Sequence, residues 1–151
     1  MIEHRRPLRI AAGLLATVVA GIHAYWALPN AATQLLVWQF PDPRPAAFLL
    51  ATVAILAGIA LAVQGFDPLP IYVGGIALMV AFLGGYAAWH TVLDHGAFWP
   101  GRHAHGHSDA SAIAVVATHL FADRLALASK AAEAALLAVL AVLTGIELRS
   151  E

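Results

Sequence analysis

A chain of 151 residues with 61% hydrophobic and 11% charged side chains carries too little charge to cover the surface of a water-soluble domain. The formal net charge of −1 argues against nucleic acid as a partner, because phosphate binding needs clustered Lys and Arg. Cys is absent, which excludes disulfides, thiolate zinc sites, iron–sulfur clusters and Cys nucleophiles, so that any metal must be held by His, carboxylate or Met.

Residues 1–151 read as one membrane domain, an all-α integral membrane protein whose partner is the lipid bilayer. The first apolar run extends from Leu8 to Leu28. Arg5 and Arg6 ahead of it resemble the start of a signal peptide. The run is long for a signal core, however, and passes into His23, Tyr25 and Trp26 without a small-residue cleavage site, which favours an uncleaved anchor. The stretch from Ala31 to Phe40 is too short to cross a membrane and ends in Pro41, Pro43 and Pro45, which predicts a short interfacial helix followed by a rigid turn. The second and third spans are expected at 45–63 and 70–90, with Pro45 and Pro70 at first helical positions. The fourth ends near Leu148 and starts between Ala112 and Leu125, taken as 124–148. Each of the first three is close to the roughly 20 residues that cross about 30 Å of hydrocarbon. The expected architecture is an antiparallel bundle of four transmembrane helices.

Small residues recur at helix-packing spacing: Ala12, Ala16, Ala20 and Ala24, then Ala54, Gly58 and Ala62, then Ala77, Ala81 and Gly85. They suit tight contacts within the bundle, with other membrane subunits or in a homo-oligomer. Arg5, Arg6 and Arg9 precede the first span, while the long loops hold only Arg44 and Arg102. That bias predicts a multi-pass protein of the cell membrane with both termini cytoplasmic. All four Trp residues, Trp26, Trp38, Trp89 and Trp99, then fall near the outer boundary as an aromatic belt.

Seven of the eight His collect at that outer face. His23 lies near the outer end of the first span, His90 closes the third, and His119 enters with the fourth. His95, His103, His105 and His107 occupy the loop 91–111, where Gly106 loosens an alternating His tract. Neutral imidazole suits copper and zinc, so these seven are the candidate metal ligands. Asp94 and Asp123 follow His90 and His119 at i+4, where a carboxylate on a helix fixes the tautomer of its imidazole and raises its basicity. His23, His90 and His119 are also the candidates for bis-histidine haem b ligation.

On the fourth helix, His119, Asp123, Lys130 and Glu133 fall within about 80° of each other at 100° per residue, a polar stripe facing the bundle interior. Lys130 and Glu133, at i and i+3, form an intramembrane pair suited to a proton path or a polar ligand. The alternative places the membrane boundary near Leu125 and lets Lys130 extend outward.

The run Gly21-Ile22-His23-Ala24-Tyr25, the passage Phe48 to Phe66, the Ile71–Gly75 segment and Ser129 to Leu143 resemble a family of small haloarchaeal four-span membrane proteins of uncharacterised function. The resemblance implies the four-span fold and lends no catalytic residue. No nucleophile or phosphate-binding motif stands out, so no catalytic residue is assigned. A non-catalytic accessory or scaffold subunit is the first expectation. A copper- or zinc-binding protein of metal handling is the second, and a haem b electron-transfer subunit the third.

Overall fold

The computed structural model describes residues 5–97, 100 and 110–149. The described residues form helices α1 (Arg5–Leu36), α2 (Arg44–Val63), α3 (Pro68–His90), α4 (Ala112–Ala122) and α5 (Arg124–Leu148), with a single 3₁₀ turn at Asp94–Gly96. Four of them, α1, α2, α3 and α5, are long and apolar enough to cross a membrane. The protein is a multi-pass helical membrane bundle.

The helix starts follow from local chemistry. Asp42 accepts from the Arg44 amide and grips the Arg44 guanidinium, and Pro45 occupies the first turn of α2. Asp67 caps α3 by accepting from Leu69 N, with Pro68 in the first turn, so α3 begins two residues before the expected Pro70. α2 ends where Gly65 takes φ 83 and Phe66 N donates to Leu61 O, a closure that a residue with Cβ makes at a steric penalty.

Two expectations are corrected. The interfacial helix predicted from Ala31 is the continuation of α1, which runs 32 residues straight through Pro29. Pro29 has no N–H for the Tyr25 carbonyl, but Asn30 Nδ2 donates to Trp26 O at 2.6 Å and Thr33 Oγ1 to Pro29 O at 2.9 Å, which keeps the adjoining carbonyls occupied. At 1.5 Å per residue α1 is about 48 Å long, so it outruns the roughly 30 Å of hydrocarbon. The second correction is at Asp123, whose extended backbone (φ −117, ψ 108) separates α4 from α5. His119 therefore does not share a helix with Lys130 and Glu133, and the four-residue stripe is broken.

α1 lies between α2 and α5, and α3 closes the ring against α5 and α2, with α4 packed on α3 and α5. The core is Ala12, Val19, Ala20, Ile55, Tyr72, Met79, Leu136, Leu140 and Leu143. Gly75 lets α3 approach α5, since a Cβ there would lie 2.7 Å from Leu140 Cδ1. Of the small-residue ridges, that of α1 is used internally, with Ala12 and Ala20 buried, whereas Ala54, Ala62, Ala77, Ala81 and Gly85 are exposed. Leu14, Leu50, Val53 and Val80 project outward at 54–72% exposure, a surface suited to lipid. Glu147 pairs with Arg5 and Arg9 at 3.3 and 2.8 Å, so both ends of the described chain share one end of the bundle.

Candidate metal centre

His90 is the last residue of α3, and the chain must reverse sharply for another His to face it. Asp94, His95 and Gly96 do this with φ of 39, 56 and 81. The left-handed region costs an L-residue energy, although Asp and His tolerate it better than most. The reversal folds His95 back onto His90, with His95 Nε2 3.0 Å from His90 Nδ1. α4 supplies the third ring, His119 Nε2 lying 3.1 Å from His95 Nε2. The three half-buried residues offer one nitrogen each within 4.8 Å of one another. Tetrahedral ligands about 2.0–2.1 Å from a zinc ion are about 3.3 Å apart, close to the two contacts that His95 makes.

Proton bookkeeping shows how a cation would suit the cluster. His119 Nδ1 lies 2.8 Å from Val115 O, which only accepts, so Nδ1 carries the hydrogen and Nε2 of the neutral ring presents a lone pair. His95 Nε2 has two nitrogen neighbours and at most one hydrogen. With three neutral rings, His95 Nε2 either shares one hydrogen between the two short contacts or, without it, sets its lone pair against that of His119 Nε2, so the two contacts cannot both be full hydrogen bonds. A metal ion at the centre satisfies all three lone pairs at once. An axial haem pair instead faces across iron at about 4 Å, twice a metal–nitrogen bond, with a macrocycle between the rings. The His90 and His119 rings lie side by side, centroids 4.3 Å apart, which leaves no room for one.

The expected carboxylate partners sit differently. Asp94 Oδ1 lies 3.5 Å from His95 Nδ1, beside His95 instead of acting on His90 from helical i+4 spacing. Asp123 turns its carboxylate onto the amides of Leu125 and Ala126, capping α5, while Val115 O takes the His119 hydrogen. His103, His105, His107 and Trp99 lie outside the described residues.

His23 joins a second cluster deeper in the bundle. Its Nε2 is 3.0 Å from Glu133 Oε1, which also accepts from Ser129 Oγ at 2.8 Å and from Lys130 Nζ at 2.8 Å. Lys130 Nζ donates to Oε2 as well, at 2.7 Å, and approaches Phe82 O at 3.4 Å. Glu133 is 0% exposed and His23 2%, so the pair that sequence placed on one helix, Lys130 and Glu133, is an interior ion pair to which α1 contributes the histidine. The His23 ring is held between Phe48 and Phe82, at 4.8 and 4.7 Å between centroids.

The two clusters face a common cavity of about 590 Å³. Tyr86 bridges them on α3, its ring 4.5 Å from that of His90 and 5.3 Å from Lys130 Nζ. Sequence reasoning missed Arg44, whose guanidinium sits 5.3 and 4.6 Å from the rings of Trp26 and Trp89 and ties α1, α2 and α3 together at the histidine end. Aromatic residues near a membrane boundary with one loop Arg were the available signal. The chain matches no protein-family model, no curated protein and no solved structure.

Proposed function

We propose that this membrane protein binds one divalent transition-metal ion, zinc or copper, through His90, His95 and His119. The observation that carries the reading is the convergence of three imidazole nitrogens, with contacts of 3.0 and 3.1 Å that have at most one hydrogen to share when all three rings are neutral and His90 Nδ1 accepts. Three imidazoles without thiolate suit both metals, with copper the stronger in the usual affinity order. The basic residues Arg5 and Arg9 lie at the terminal end of the bundle with Glu147, opposite the trio, which favours a site on the extracytoplasmic face.

The test is calorimetric titration of untagged, chelator-treated protein in detergent with Zn(II) and with Cu(II). One equivalent should bind, and the triple variant His90→Ala, His95→Ala, His119→Ala should lose it. A variant with His103, His105 and His107 all replaced by Ala should keep the tight equivalent. The opposite ranking of the two variants would move the binding to the loop tract and sink the three-histidine site.

A further inference from the structure

Two of the three histidines of the trio, His90 and His119, line the cavity, and both keep accessible surface; His95 is outside the lining. An ion bonded at about 2 Å to His90 Nδ1 and His119 Nε2 therefore stands beside the cavity wall. Among the described residues no fourth histidine or carboxylate joins the trio. Asp123, also in the lining, directs its carboxylate to the amides of Leu125 and Ala126. Structural zinc sites are closed by four protein ligands, whereas sites with three keep a position for a group from outside.

The cavity constrains what that group is. Its volume of about 590 Å³ is far above the roughly 30 Å³ share of one water molecule and falls within the roughly 300–1,000 Å³ of small-molecule sites. Trp26, Phe48, Phe82, Tyr86 and Trp89 supply an aromatic wall that suits a planar apolar body. The charged side chains of the lining are two cations, Arg44 and Lys130, and the capping Asp123. The partners of the two cations, Asp42 and Glu133, are outside the lining. Three neutral imidazoles leave the double charge of the ion uncompensated, which adds to the preference for an anionic head. Ala47 on α2 and Ala81 and Gly85 on α3 line the cavity and are exposed at the bundle surface, where α2 and α3 make the sparsest contact of the adjacent spans. The mouth between these small residues opens toward lipid.

We infer that an ion held by the trio takes its fourth ligand from this cavity, and that the ligand is an amphiphilic organic carboxylate whose oxygen binds the metal while its apolar body lies against the aromatic wall. The inference deepens the three-histidine metal reading and rests on it. Carboxylate oxygen joins imidazole in protein zinc sites. The lining cations disfavour an ammonium head, and a small inorganic anion leaves the aromatic wall uncovered.

The experiment uses full-length, untagged protein in lipid nanodiscs, loaded with one equivalent of Cu(II) and freed of excess metal. Azide reports the open position, because its charge-transfer band appears only when it coordinates copper. 2-Naphthoate, acetate and methyl 2-naphthoate are then compared as competitors of azide, with empty nanodiscs correcting for partition. The azide band should form, and naphthoate should displace it at a concentration at least about tenfold below that of acetate, through burial of its rings. The methyl ester, which has the body without the charge, should be at least about tenfold weaker than naphthoate. Gly85→Leu, where a Cβ meets nothing within 4 Å, should keep the copper equivalent and the azide band while weakening naphthoate at least about fivefold. Ala47→Leu, across the mouth, should do the same. Failure of the wild type to hold one equivalent of Cu(II) would overturn the metal reading and this inference together. Copper held at one equivalent with no azide band would overturn this inference alone, as would parity of naphthoate with acetate or with its ester, or a naphthoate affinity unchanged in both variants.

Discussion

His23 on α1 and Glu133 on α5 meet at 3.0 Å between Nε2 and Oε1, at a depth where neither side chain reaches solvent. The contact joins residues 110 positions apart and makes the buried carboxylate the centre of a cluster in which Lys130 supplies the countercharge.

A buried ion pair is costly to split and much cheaper to delete whole. Removing one partner leaves an uncompensated charge, typically at about 3–5 kcal/mol, whereas replacing both by apolar side chains is often close to neutral. Glu133→Leu and Lys130→Met should therefore each lower unfolding stability by about that amount. The double variant should regain at least half of the summed loss. SDS-induced unfolding followed by circular dichroism measures all three, and strictly additive losses would show that the two side chains are not coupled.

Metal should stabilise the fold, because the trio joins the end of α3, the following turn and α4, elements that unfolding separates. With free metal at 100 times its dissociation constant the gain is about 2.7 kcal/mol. Zn(II) should accordingly raise the melting temperature of the wild type, and EDTA should reverse it. His90→Ala, His95→Ala and His119→Ala should each abolish the rise. His23→Phe should retain it, since His23 contacts Glu133 and not the trio. Loss of the rise in His23→Phe would instead unite the two clusters into one site.

The spans were legible because a run of about 20 apolar residues is a property of the local chain; α2 starts one residue from its expected boundary and ends on it. The distribution of histidines was not. The i+4 pairing of His119 with Asp123 presupposed one helix, yet Asp123 adopts extended backbone and caps a new one. An Asp ahead of a helix-forming run was the signal available there. Which histidines converge depends on three consecutive left-handed residues after α3, and no hydrophobic period encodes such a turn. His23 and Glu133 were each visible as polar residues in apolar runs, but their adjacency depends on α1 packing against α5, which span lengths leave open.

Asp123 separates a capping role from a metal-supporting one. As an N-cap it accepts from Leu125 N at 2.8 Å and Ala126 N at 3.2 Å, and Asn caps about as well as Asp, whereas Ala forfeits about 1 kcal/mol. Asp123→Asn should be close to wild type in both melting temperature and metal affinity, and Asp123→Ala should lose stability. A drop in metal affinity in Asp123→Asn equal to that in Asp123→Ala would show that the carboxylate charge acts on His119.

Gly96 is the residue on which the geometry of the trio depends most sharply. Its φ of 81 suits glycine, and a Cβ built on it would lie 2.4 Å from Trp89 Cη2, inside any permissible contact. Trp89 is itself fixed beneath the Arg44 guanidinium, 4.6 Å away, so the ring has little freedom to yield. Gly96→Ala must therefore move the turn, and with it His95, the ring whose Nε2 touches both other ligands. The variant should lose about 1–3 kcal/mol of stability, the usual scale for an enforced backbone outlier, and at least tenfold in Zn(II) affinity. In a Trp89→Leu background the steric part should vanish while the left-handed backbone still disfavours Ala. The same substitution should then cost less stability and recover part of the metal affinity. If Gly96→Ala binds zinc as tightly as wild type, the Asp94–Gly96 turn does not position His95, and the three-histidine geometry fails with it.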